Sequence, residues 1–192
     1  MTSSTTERDT NTVSRFGSIL FILAGIIMLT TILSLAGCAK STKNLKPVKG
    51  FELQRYLGTW YEIARFPHSF ERGLTDVTAN YSMREDGKVK VVNRGYSKDK
   101  KKFKSTTAVA KPASQPDLGH LKVSFFPLFW ADYKIVYLAD DYSVAIVTSS
   151  NYDYLWFLAR KPEISDKLYE ELRKRAVKMD FDLEKLKKVS QT

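Results

Sequence analysis

The stretch GTWYEIARFPHSFERG, residues 58–73, decides the fold. Trp60, Tyr61, Ile63 and Phe66 are aromatic and β-branched types that suit a pleated, half-buried surface, so the stretch begins as a strand, which Pro67 ends. A two-residue period puts Trp60, Glu62, Ala64 and Phe66 on one face and Tyr61, Ile63 and Arg65 on the other. The first face is bulky only at its ends. That suits the inside of a small barrel, where a tryptophan fills the closed bottom and a small residue above it leaves room for a ligand. Gly58 lets the chain turn sharply into the strand.

Outward from this stretch, strand-like runs dominate. Residues 75–84 and 88–97 flank Glu85, Asp86 and Gly87, and the Asp-Gly pair is a hairpin signal. Residues 103–110, 121–126, 133–139, 144–149 and 155–160 add five more runs. The expected architecture is all-β, an eight-stranded, antiparallel, up-and-down barrel. A short helix at 53–57 closes one end, and residues 186–189 supply a final short strand. The longer helix spans residues 165–179, where Leu168, Leu172, Ala176 and Met179 form one apolar stripe among charges and Ser165 is a suitable N-cap.

Three segments carry a family resemblance. Gly58, Thr59, Trp60 and Tyr61 resemble the first signature of the lipocalins, and the segment through Gly73 is similar to the bacterial outer-membrane, apolipoprotein D-like branch of that family. ADDYSVAIV, residues 139–147, resembles the second signature through Asp141 and Tyr142, and LWFLAR, residues 155–160, resembles the third through Arg160. All three stand in family order, and the match covers residues 51–189. The resemblance implies that the C-terminal helix packs outside the barrel and that Arg160 lies across Trp60 at the barrel bottom. It makes Gly58, Trp60, Asp141, Tyr142 and Arg160 structural residues.

Alternation gives the expected lining of the lumen. Ala79, Tyr81 and Met83 share a face, as do Val89, Val91, Asn93 and Gly95. Leu121, Val123 and Phe125 follow, then Tyr133, Ile135 and Tyr137, then Tyr154, Trp156 and Leu158. Ala64, Ala79 and Gly95 should leave volume unfilled. Ala64, Tyr81, Asn93, Phe125, Tyr133, Tyr137 and Trp156 are the expected ligand contacts, suited to an apolar body with one polar end. A barrel filled by its own side chains, serving as a structural or interaction protein, is the alternative. A basic run at 97–104 and an apolar run at 125–132 flank the presumed mouth. Together they favour a fatty acid or a lysophospholipid, and resemblance to the bacterial lipocalins implies the same ligands. The Phe126 to Trp130 loop could fold over the cavity, dip into a membrane or pair two copies as a homodimer.

The run at residues 16–36 carries no charge and is long enough to cross a bilayer as a helix. Its end points elsewhere. Leu35, Ala36, Gly37 and Cys38 resemble a bacterial lipobox, which implies a signal peptide at 1–37 and a lipid on Cys38. Residues 38–50 are then a lysine-rich tether with almost nothing to bury, and residues 51–192 form the lipocalin domain. By the same resemblance, Ala39 rather than aspartate favours an outer membrane lipoprotein facing the periplasm of a bacterial envelope, with the inner membrane as the alternative.

Cys38 is the only cysteine, so no disulfide staples the fold. The net charge of +10 would suit a nucleic acid, yet an exported, anchored protein does not meet one. No catalytic residues, metal ligands or cofactor are expected. The only histidines are His68 and His120, no catalytic or phosphate-binding motif is present, and Glu62 is the sole plausible inward carboxylate. A binding protein is therefore expected, with a lipid-modifying enzyme on the same scaffold as the remote alternative.

Overall fold

A computed structural model describes residues 39–126 and 128–192. Cys38 and the expected signal peptide lie outside them. Eight antiparallel strands follow one another around a sheet in sequence order: β1 (Gly58–Arg65), β2 (Leu74–Met83), β3 (Val89–Ser97), β4 (Lys102–Pro112), β5 (His120–Phe126), β6 (Phe129–Leu138), β7 (Val144–Thr148) and β8 (Leu155–Ala159). Strand β1 pairs with β8 on one side and with β2 on the other, which closes the barrel. Phe129 and Trp130, expected in a loop, open β6 instead.

Closure between β1 and β2 runs only from Gly58 to Tyr61. Above that point the strands part, and the C-terminal tail fills the seam. Strand β9 (Lys187–Lys188) pairs with Ala64 and Arg65. Beyond it, the Val189 amide donates to the Ile63 carbonyl at 2.9 Å, and the Gln191 side-chain amide donates to the carbonyls of Glu62 and Val77 at 2.8 and 3.0 Å. Backbone groups that would otherwise be orphaned are thereby satisfied.

Helix α1 (Leu53–Tyr56) crosses the closed end. The Trp60 ring is fully buried, and its Nε1 donates to the Tyr56 carbonyl at 2.8 Å. The Arg160 guanidinium lies 4.0 Å over that ring, donates through Nη1 to the Thr59 carbonyl at 3.0 Å and through Nη2 to the Arg55 carbonyl at 2.7 Å. Gly58, at φ +92, turns beside Arg160 Nη1. Tyr142 accepts from the Glu52 amide at 2.8 Å and is covered by Arg55, while Asp141 accepts from the Ser143 amide and holds the turn into β7. The signature residues thus meet in one cluster that ties β1, α1 and the two ends of the β7–β8 hairpin together.

Helix α2 (Asp166–Lys178) is capped by Ser165, whose side chain accepts from the Leu168 amide. It lies outside the barrel, setting Tyr169, Leu172 and Ala176 against Ile63, Ala64, Val144, Ile146, Phe157 and Ala159. This explains why β7 is buried along its whole length: one face looks inward and the other meets the helix.

Residues 39–50 bury more than a tether should. Thr42 is fully buried, its hydroxyl donating to the Ser149 carbonyl and its own carbonyl accepting from Lys134 Nζ at 3.1 Å. Further on, the Val48 amide bonds to the Ile135 carbonyl at 2.9 Å. The segment is laid along β6 because these few polar groups are matched one by one, which composition does not reveal.

Removing either half of the cluster at the closed end should cost stability. Trp60→Ala is expected to lose about 3–5 kcal/mol, and Arg160→Ala about 1–3 kcal/mol, since the carbonyls of Thr59, Arg55 and Tyr142 and an indole face lose their partner. Thermal unfolding checks both, and an unchanged midpoint in either variant contradicts the assignment.

Candidate functional site

Cross-strand partners share a face, so the registers define the lumen. Val89 faces Ala110, Val91 faces Ala108, Asn93 faces Thr106 and Gly95 faces Lys104 across β3 and β4. Leu121 faces Tyr133 and Val123 faces Ala131 across β5 and β6. Toward the closed end this interior is solid: Trp60, Val89, Ala110, Leu121, Ile135, Ala145 and Val147 are buried together with Tyr56 and Leu158. Toward the other end the inward positions keep contact with solvent. Asn93, Tyr133 and Trp156 are half-buried, as is Ala79 opposite Trp60, and Lys104, Thr106 and Ala131 are exposed. The inward positions that solvent reaches lie mostly in this half.

Four of the seven expected contacts, Tyr81, Asn93, Tyr133 and Trp156, point into the lumen. Three do not, and each correction has a β-bulge behind it. In β1 the register slips between Glu62 and Ala64, so Glu62 opposes Leu158 while Ala64 opposes the outward Phe157 and lies under helix α2. In β6 it slips between Ile135 and Tyr137, which turns Tyr137 outward, where Arg175 lies 4.1 Å over its ring. In β5 it slips between Val123 and Phe126, and Phe125 lines an outer groove of about 260 Å³ with Thr107, Val109, Ser124 and Trp130. One extra residue reverses every side chain beyond it. Gly95 does face inward, but Leu74 and Val77 occupy the space above it, with a Cβ there 3.1 Å from Leu74 Cδ1 and 3.2 Å from Val77 Cγ2. A bulge in β2, with Asp76 at φ +52, brings them there.

The same bulge in β1 turns Arg65 inward beside Glu62, where both are buried and hydrogen-bonded to each other. Arg65 Nη2 also donates to the carbonyls of Glu71 and Leu74 at 2.7 and 3.2 Å, and its Nε is 3.8 Å from the Glu71 carboxylate. Trp156 Nε1 donates to that carboxylate at 3.4 Å, and His68 stacks on Tyr154 with centroids 4.5 Å apart. The β1–β2 connection is thereby pinned at the mouth. Two carboxyls share one guanidinium here. Burial and then the nearby Glu71 charge push the Glu62 carboxyl up from 4.5 to about 8, against the pull of Arg65. Burial also raises Glu71, opposed by Arg65 and by the Trp156 hydrogen bond.

Deeper in, three tyrosine hydroxyls form a chain. Tyr133 is 2.8 Å from Tyr56 and 2.8 Å from Tyr81. Burial holds all three above the usual phenol range, Tyr81 at about 12, so they stay neutral. Two bonds consume two of three protons, so one hydroxyl proton remains for an acceptor outside the chain. Tyr56 was not among the expected lining residues because it belongs to α1 rather than to a strand. Among the described residues no group of three or more His, Cys, Asp or Glu side chains could hold a metal ion.

The comparisons with known proteins agree with this geometry. A family model described as a lipocalin-like domain matches residues 51–191. Outer membrane lipoprotein Blc of Citrobacter freundii is 41% identical over 167 residues, covering 86% of this chain and 94% of the relative. Apolipoprotein D of Mus musculus is 32% identical over 180 residues, covering 84% and 93%. Among solved structures, insecticyanin from the tobacco hornworm Manduca sexta superposes with a TM-score of 0.64 at 19% identity, covering 77% of this chain and 85% of that one.

The shifted Glu62 carboxyl makes stability depend on pH. Folded Glu62 keeps its proton to about 8, whereas unfolded it releases the proton near 4.5, so its contribution is complete below 4.5 and fades as pH rises through 8. Melting midpoints should therefore fall between those values, and Glu62→Gln should flatten the fall. An equally steep profile in the variant contradicts the shift.

Proposed function

Because the chain belongs to the lipocalin family, we propose that it is a carrier which takes the acyl chain of a single-tailed lipid, a fatty acid or a lysophospholipid, into the open half of its barrel. The observation that carries this reading is the set of inward positions that solvent still reaches, Thr106 and Ala131 openly and Ala79, Asn93 and Trp156 in part. Small side chains on opposite walls leave a gap between them, and Trp156 supplies an apolar side. Below, the tyrosine chain offers one unspent hydroxyl proton. Above, Lys104 points inward at the rim and suits an anionic headgroup.

Burying about ten methylenes of such a chain would contribute about 8 kcal/mol before the cost of ordering it. Capture at micromolar concentrations then needs no chemistry, and the protein acts as a binding protein rather than an enzyme. The outer groove is a poorer seat. It is open, and Arg84, Asp86 and Lys88 line one side of it.

Residues 1–37 are a signal peptide, Cys38 bears the lipid, and the carrier is held at the outer membrane of a bacterial envelope, facing the periplasm. The motif Leu35-Ala36-Gly37-Cys38 supports this, and so does a relative named as an outer membrane lipoprotein at 41% identity. Held there, the carrier works in the upkeep of the envelope, taking up single-chain lipids at the membrane that supplies them.

Two measurements follow. Titration with lysophospholipid below its micelle concentration should change Trp156 fluorescence saturably in a Trp130→Phe background, which removes the outer signal. Ala131→Phe, placed at an exposed inward position, should weaken binding roughly tenfold or more by filling the gap. No saturable change, or full affinity in Ala131→Phe, contradicts the proposal.

A further inference from the structure

Because the strands alternate in direction, the β1–β2, β3–β4, β5–β6 and β7–β8 connections all lie at the open end of the barrel. The β5–β6 connection carries a large apolar surface into solvent: Phe126 is 72% exposed, Leu128 91% and Phe129 75%. Leu128 sits at φ +80, a conformation that suits glycine far better than leucine. A tip that needed only to turn would not hold leucine there.

Two neighbours of this tip bear on what it meets. The β3–β4 turn and the start of β4 expose Lys98, Lys100, Lys101, Lys102 and Lys104, with Asp99 the one acid among them. The described chain also starts at the same end. The Tyr152 amide donates to the Lys40 carbonyl at 2.9 Å and the Thr42 amide to the Ser150 carbonyl at 3.0 Å, which seats residues 40–42 on the β7–β8 turn. Cys38 is one peptide bond from Ala39, so a lipid on Cys38 would enter a bilayer from the rim of the mouth and not from the closed end.

We propose that the mouth faces the membrane and that the tip residues Phe126, Leu128 and Phe129 insert into the interfacial layer of an anionic bilayer, with the β3–β4 lysines on its headgroups. This rests on the reading of Cys38 as the lipid anchor. The charge pattern selects the bilayer over a second copy of the chain, because a face-to-face pairing of tips would bring two lysine clusters together. The basic turn beside an apolar tip is the arrangement that binds anionic interfaces. A lipid tail would then pass from the membrane into the lumen along the apolar tip with little exposure to water.

The test uses the full, lipidated chain in vesicles of phosphatidylethanolamine and phosphatidylglycerol containing acyl-chain spin-labelled lipid. An environment-sensitive fluorophore is placed by Leu128→Cys, or by Asp86→Cys at the closed end. The account expects the label at 128 to be quenched roughly threefold or more and the label at 86 to be little affected. Protein that floats with the vesicles but shows no quenching at 128, or equal quenching at both sites, overturns the docking and leaves the anchor standing. Disulfide cross-linking of two copies through unlabelled Leu128→Cys, without quenching of the labelled form, assigns the tip to a homodimer and also overturns it. Failure to float with vesicles removes the anchor reading and the docking that rests on it.

Discussion

The stacking of Arg160 on Trp60 is the contact from which the barrel is built. One guanidinium, 4.0 Å over the indole, is bonded to the carbonyls of Thr59 and Arg55, so the end of β8, the start of β1 and helix α1 are held at a single point. With its ring fully covered, Trp60 plugs the floor, and the buried residues above it form a solid lower half. The proposed acyl site depends on this plug staying compact. Stability is concentrated below and outside, under helix α2, and the upper wall can carry small inward side chains.

Much of this was legible in the sequence. The eight strands, the helix with its Ser165 cap and the signature residues at the closed end follow from local patterns, since each depends on a period, a turn residue or a motif. The lumen was less legible. Ala64, Tyr137 and Phe125 were placed by strict alternation, and a bulge precedes each of them in its strand. An inserted residue has no compositional mark. Where helix α2 covers β1 and β6, apolar residues occur on both faces and the alternation that would betray a slip is erased. Arg65 shows the consequence: counted in steps of two it faces outward, yet it is buried in the barrel against Glu62. Glu71 reaches the same cluster from a connection between strands, to which no strand period applies.

The polar cluster and the tyrosine chain bracket the proposed binding volume. On the β1 side, two carboxyls compete for Arg65, and Glu71 of the β1–β2 connection is held by Arg65 and Trp156. At the bottom, neutral tyrosines hold one another and keep a proton to spare. Between them the wall is made of alanine, asparagine, threonine and one tryptophan. The rim carries the lysines, the apolar β5–β6 tip and the start of the described chain, so the proposed membrane contact, headgroup site and tail site fall along one line.

The claim that matters most is that the upper barrel is hollow and takes an acyl chain. Crystals of the protein soaked with a fatty acid brominated near its terminal methyl test it directly by anomalous diffraction at the bromine edge. The account predicts a bromine peak inside the barrel, between Ala79, Ala131 and Trp156 and above the Tyr133 hydroxyl. A peak only in the outer groove beside Trp130 and Phe125, or none at saturating ligand, would contradict it.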